Sequence, residues 1–208
     1  MSAVGPLPVL RQDVSYPCPS KLQHVSIFSG SNFEAMLDFY QTVLNMRIVY
    51  EIKSKLRFTA LSFDEENHCI GLVHLPNLEP RPSGSVRIEH TSWNYRDITA
   101  LLETIKAIEK KSDMFPMAAH QGTIIAVSYK DPDGNRCELT VDCLPTQAAI
   151  IDFYTEKLSA MPEFNTLLPF NLRRMIELHD IGEPAAHFLD YEWVKTNLPA
   201  ENPNVRPF

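Results

Sequence analysis

A chain of 208 residues, 44% hydrophobic and 22% charged, can bury one core or two small ones and has an ordinary globular balance. Its net charge of −7 is dispersed, which argues against sequence-independent nucleic-acid binding and against docking on an anionic membrane. The four cysteines, Cys18, Cys69, Cys137 and Cys143, include no C-x-x-C pair, residues 1–19 show no secretory leader, and no apolar run reaches membrane length, so a reduced, cytoplasmic protein is expected.

Residues 1–20, with Pro6, Pro8, Pro17 and Pro19, read as an extended arm. Residues 22–28 alternate and predict a strand. Ser31 and Asn32 offer N-caps for a helix through about Leu44, with Phe33, Met36, Leu37, Tyr40, Val43 and Leu44 as its apolar stripe. Strands near 47–53, 56–64 and 67–74 complete a β-α-β-β-β module, and residues 75–85 form a Pro-rich linker. A second module follows: a strand over 86–94, a helix near 97–111 burying Leu101, Leu102, Ile105 and Ile108, and strands near 114–119, 122–130 and 136–142. Asp131-Pro132-Asp133-Gly134-Asn135-Arg136 carries the chemistry of a tight turn. After Asp142 the pattern becomes helical, over about 147–160, 171–181 and 185–195, and the tail from Pro199 reads as a loose arm. The prediction is an α+β domain over 21–144, with modules 22–75 and 86–142, and a helical extension over 145–208.

The two modules begin alike. Leu22-Gln23-His24-Val25-Ser26 and Ile88-Glu89-His90-Thr91-Ser92 both read apolar-x-His-x-Ser, and the two histidines lie 66 positions apart. Alternation puts His24, Ser26 and Phe28 on one face of the first strand, and His90 and Ser92 on one face of the fifth. On the last strand Glu138 and Thr140 share a face, with Cys137, Leu139 and Val141 opposite. Two imidazoles and one carboxylate can occupy one face of an octahedral metal and leave the other open to substrate and dioxygen. A lone strand histidine is more often structural, and a lone Glu after a turn is more often solvated. The repeat is what singles out His24, His90 and Glu138 as candidate ligands.

These segments, with Asn32-Phe33-Glu34-Ala35-Met36-Leu37-Asp38-Phe39-Tyr40-Gln41-Thr42-Val43-Leu44 and Asp131-Pro132-Asp133-Gly134-Asn135-Arg136-Cys137-Glu138-Leu139, resemble the vicinal oxygen chelate superfamily over about residues 20–142. That superfamily includes glyoxalase I, bleomycin-resistance proteins and extradiol dioxygenases. The resemblance implies that the two modules pair into a cupped mixed β-barrel with a metal inside. Glyoxalase-type members use four protein ligands with Glu prominent; the extradiol branch uses His, His and Glu, the set seen here. Glu66-Asn67-His68-Cys69-Ile70-Gly71 resembles the extradiol H-H-x-x-A segment, which implies His68 as the acid/base, with Asn67 in place of the first histidine. Ala119-His120-Gln121-Gly122 through Tyr129 resembles the stretch holding a second histidine and a tyrosine near the substrate, which implies His120 and Tyr129. Met161-Pro162-Glu163-Phe164-Asn165 and Gly182-Glu183-Pro184 resemble the extension of biphenyl-diol dioxygenase-like relatives. Two departures stand out. Gln121, Gly122 and Thr123 replace the Asn-Asp pair of the two-domain enzymes, and the Tyr129-to-Glu138 spacing is one residue shorter, which on a strand reverses a side chain.

The resemblance thus implies a non-haem Fe(II) extradiol dioxygenase, with Mn(II) as an alternative metal, acting on a catechol-like aromatic diol and dioxygen, with a homodimer within its range of assemblies. Two other readings stand beside it: a redox-neutral metal-dependent isomerase or lyase of the same fold, and a small-molecule binding protein without turnover.

Overall fold

The structure, a computed structural model, describes residues 19, 21–65, 67–79, 82, 88–161 and 163–201. The arm expected before Lys21, apart from Pro19, lies outside them, as do Glu66, Pro162, most of the linker between 80 and 87, and the tail from 202.

The first module is β1 (Val25–Ser29), α1 (Phe33–Val43), β2 (Arg47–Lys53), β3 (Arg57–Ser62) and β4 (Ile70–His74), in a sheet ordered β1-β4-β3-β2. Its helix forms where apolar residues recur three and four apart, and it buries Phe33, Met36, Leu37, Phe39, Tyr40 and Val43. The second module repeats the plan with β5 (His90–Asn94), α2 (Ile98–Glu109), β6 (Met117–His120), β7 (Ile124–Lys130) and β8 (Arg136–Asp142). The Asp97 carboxylate caps α2 by accepting from the Ala100 N–H at 2.8 Å. In each module the first and last strands are parallel: Ser26 lies opposite Gly71, and Ser92 opposite Glu138.

The fold is α+β, as expected. The two sheets share no ladder among the described residues, so they form a two-sheet cup rather than a closed barrel. One apolar core lies on the helix side of both sheets and joins Met36, Val43, Leu61 and Leu72 to Leu101, Ile105, Val127 and Leu139. Each such side chain contributes roughly 1.5–3 kcal/mol by leaving water.

Polar contacts lock the modules together. The Tyr40 hydroxyl donates to Asp131 Oδ2 at 3.0 Å. Asn32 sits at the expected N-cap but makes no side-chain cap bond; its amide instead donates to Asp133 Oδ1 at 2.8 Å and to the Pro132 carbonyl at 3.2 Å. Asp131 also accepts from the Asp133 and Asn135 N–H groups and from the Asn135 side chain, and Gly134 supplies the positive φ of 81° that closes this turn.

The extension departs from the expected three helices. The helix predicted over 147–160 is α3 (Gln147–Asp152), a π-turn (Phe153–Lys157) and a 3₁₀ turn (Leu158–Ala160). A two-residue strand, β9 (Leu168–Pro169), not read from the sequence, pairs with β6 and covers that edge of the second sheet. Then comes α4 (Leu172–Asp180). The helix predicted over 185–195 is broken into α5 (Ala185–Leu189) and α6 (Tyr191–Asn197), because Asp190 leaves helical geometry and caps α6 through the Trp193 N–H. Met175, Phe188 and Val194 join the core. No helix among the described residues is long and apolar enough to cross a membrane.

Candidate metal centre

Paired residues in neighbouring strands face the same way, so the register sorts each sheet into a helix side and a cup side. In the second sheet Ser92, Glu138, Ser128 and Met117 share the cup side, with His90 and Thr140 two positions away on their strands. Glu138 is 3% exposed. It accepts from Ser128 Oγ at 3.1 Å, and its other carboxylate oxygen lies 3.5 Å from His90 Nε2. His90 Nδ1 lies against the Glu89 carboxylate, which favours Nδ1 as the donor and leaves the Nε2 lone pair toward Glu138. Arg136 joins this cluster through its ion pair with Glu89.

In the first sheet the cup side carries Ser26, Gly71, Ala60 and Tyr50, with Phe58 two positions from Ala60. His24, immediately before β1, is exposed and tilts over His68 with ring centroids 4.5 Å apart. Tyr50 and Phe58 meet the His68 ring edge-on at 6.0 and 5.9 Å. His68 Nδ1 lies 2.6 Å from the Asn67 side-chain carbonyl, an arrangement that leaves Nε2 as the acceptor. Burial, and then the neighbouring His24, hold His68 below the ordinary histidine value.

The structure therefore brings His90 to Glu138 and His24 to His68, one pair on each sheet. It does not gather His24, His90 and Glu138 into one set with donor atoms within 4.8 Å; among the described residues that spacing occurs only at Glu103, His179 and Asp180. There the Lys106 ammonium already pairs with both carboxylates, at 2.6 and 2.8 Å. Val25 and Ser26 of β1, His90 and Thr91 of β5, and Asn32 and Asp133 line a cavity of about 570 Å³ where the modules meet; His90 is the one candidate site residue in its wall.

Two expected site residues are corrected by register. Tyr129 pairs with Cys137 and His120 with Ile125, so both point to the helix side, away from Glu138. Tyr129 is 2% exposed, and burial drives its hydroxyl well above the ordinary tyrosine value. His120, fully buried, accepts from the Gly122 N–H at 3.1 Å and lies 3.3 Å from the Leu189 carbonyl, with Tyr191 edge-on. Burial pushes it down to about 4. Both are structural groups, and His120 ties the β6–β7 turn to the extension. Sequence reading missed Ser128 and Glu89. Counting back evenly through the tight turn from Glu138 would have found Ser128; Glu89 gave no signal beyond its place beside His90.

The donor set fits a divalent cation. A carboxylate this buried, with one hydroxyl and one imidazole as its neighbours, is costly without a positive charge. Ligands cis to each other on an octahedral metal with bonds near ~2.1 Å lie roughly 3 Å apart, close to the observed 3.5 Å between His90 and Glu138.

A sequence model of the Glyoxalase/Bleomycin resistance protein/Dioxygenase superfamily matches residues 21–139. The chain belongs to this superfamily. It is 35% identical over 127 residues to a biphenyl-2,3-diol 1,2-dioxygenase 2 of Rhodococcus globerulus, a match spanning 61% of this chain and 65%, just under two thirds, of that relative. It is 26% identical over 183 residues to a biphenyl-2,3-diol 1,2-dioxygenase 3 of the same organism, covering 86% of this chain and 91% of the relative. Among solved structures, a glyoxylase/bleomycin resistance protein/dioxygenase domain from Frankia sp. EAN1pec superposes with a TM-score of 0.50 at 13% identity, covering 60% of this chain and 99% of that one. That likeness bears on the superfamily's fold alone.

Proposed function

We propose that this superfamily member is a metal-dependent extradiol dioxygenase that opens a catechol-type aromatic diol with dioxygen. The observation that carries the reading is the buried Glu138 carboxylate beside His90 Nε2 on the cup side, in a chain whose two curated relatives are both named as biphenyl-2,3-diol 1,2-dioxygenases. His24, His90 and Glu138 would hold the metal, with His24 reaching it from the first sheet. Bound there, a ferrous ion supplies the electron relay between an electron-rich ring and dioxygen. Glu138 supplies a buried negative charge on the cup side, and Ser128 keeps its second oxygen turned away from His90. Glu89 holds the His90 ring by its far nitrogen. His68 is the acid/base: with Nδ1 engaged by Asn67, Nε2 takes a proton from a substrate hydroxyl and returns it as the ring opens. Its lowered basicity keeps it neutral and ready to accept near neutral pH. Tyr50 and Phe58 shield that imidazole from water on the apolar side.

The test is anaerobic loading with ferrous iron, followed by a catechol panel monitored for oxygen uptake and a yellow ring-opened product. Turnover with Zn²⁺ or Ni²⁺ under argon, and none with iron and oxygen, would overturn the reading in favour of redox-neutral chemistry.

A further inference from the structure

The turn between β6 and β7 is where the extension is seated. His120 ends β6, is fully buried and pairs across to Leu168 of β9. Its Nδ1 accepts from the Gly122 N–H at 3.1 Å, so the proton of the neutral ring sits on Nε2, which faces the Leu189 carbonyl at 3.3 Å. Gly122, at φ +89°, makes room for two rings of the extension: a Cβ there would lie 2.7 Å from Phe153 Cζ and 2.7 Å from Phe164 Cζ. Phe164 stacks on Tyr191 with centroids 4.2 Å apart, and Tyr191 meets His120 edge-on. Thr123 Oγ1 lies 2.7 Å from the Tyr154 hydroxyl.

A charged imidazole does not fit this junction. Its second proton must go on Nδ1, where it would point at an N–H instead of receiving one, so the Gly122 bond is lost. Among the groups facing the ring, Asp190 favours the charged form, but burial outweighs it. Cys143 Sγ, 3.7 Å from Nε2, stays a neutral thiol because burial pushes it up to about 12, and burial likewise raises the Tyr191 hydroxyl. The extension is also held unevenly. Its helices α4–α6 place Met175, Phe188, Val194 and Leu198 in the common core, whereas in residues 153–161 and 163–169 Phe153 alone is buried among the described side chains. A stretch with so little burial opens before the elements it lies on.

We propose that His120 is an acid-operated latch: a proton on Nδ1 frees residues 153–161 and 163–169 from the β6–β7 turn, opens the β6 edge that β9 covers, and leaves α4–α6 in place. The latch works without a metal. The ring is held down to about 4 when covered and returns to ~6.5 when free, so release is favoured as pH falls, by roughly 60-fold between pH 7 and pH 4.5.

Hydrogen exchange of the full chain, read by mass spectrometry at both pH values and corrected for intrinsic rates, tests this. Protection in 153–161 and 163–169 should fall by that factor while β7, β8 and α4 keep theirs. His120→Asn, whose side-chain carbonyl can still accept from Gly122 but which takes no proton, should hold its protection. Should this variant loosen the stretch even at pH 7, the unaltered chain decides: nitrogen-15 resonance should show the His120 ring charging over the same pH interval in which protection is lost. Equal losses in both proteins, joint loss of β7 and β8, a ring that charges while the stretch stays protected, or a stretch already unprotected at pH 7 would each overturn the latch.

Discussion

The two modules share strand order and register, yet their cup faces differ. The second presents Ser92, Glu138, Ser128 and Thr140, a polar floor around one buried charge. The first presents Ser26, Gly71, Ala60 and Tyr50, with Phe58 beside them and two histidines at the rim. Duplication supplied one geometry twice. Under the proposed function, side-chain replacement then divided the labour: Glu138 on one sheet would hold a cation, and His68 on the other would move a proton.

The sharpest way to break this division is Glu138→Ala. It should abolish metal binding and turnover while leaving far-ultraviolet circular dichroism unchanged; full metal occupancy by elemental analysis would remove Glu138 from the ligand set. Next is His68→Gln. Metal content and diol affinity should persist while oxygen consumption slows by a factor on the order of 10²–10⁴. Loss of metal instead would move His68 into the ligand set and erase the contrast between the sheets.

Two smaller effects concern what each module leans on. His120 belongs to the second module and is roofed by the extension. Its folded-state value of about 4 lies below the unfolded ~6.5, so the unfolded chain takes up the proton first as pH falls. The stability it contributes is whole above pH ~6.5 and is lost as pH drops toward 4, a change on the order of 3 kcal/mol. Urea unfolding at pH 7 and pH 4.5 should show a loss in the unaltered chain that His120→Gln does not share. Smallest is Tyr40→Phe, which removes one bond from a carboxylate that keeps three others and should cost about 1 kcal/mol in the same assay.

Much of this was legible beforehand. The apolar stripes of α1 and α2 and the alternation of β8 predicted both modules, because burial on one side of a sheet imposes period two. The shared cup face of His90 and Glu138 was legible for the same reason. Tyr129 and His120 were misplaced because a family stretch was carried over by order along the chain, whereas strand pairing decides which way a side chain points. The break at Asp190 was hidden inside an apolar pattern that runs through both α5 and α6. That His24 meets His68 and not the His90–Glu138 pair is a matter of how the sheets meet, and no local pattern encodes that.

The Tyr40–Asp131 and Asn32–Asp133 bonds join residues 91 and 101 positions apart. During synthesis the first module leaves the ribosome long before either acceptor exists. Until then α1 carries a phenol destined for burial but still without its carboxylate, and a helix start whose amide has nothing to grip. The loop joining these sites is long, and closing it is entropically slow. A chain halted near residue 79 should therefore populate a loosened first module that binds chaperones, and completion of the Asp131 turn should be the late event that commits both copies to one molecule.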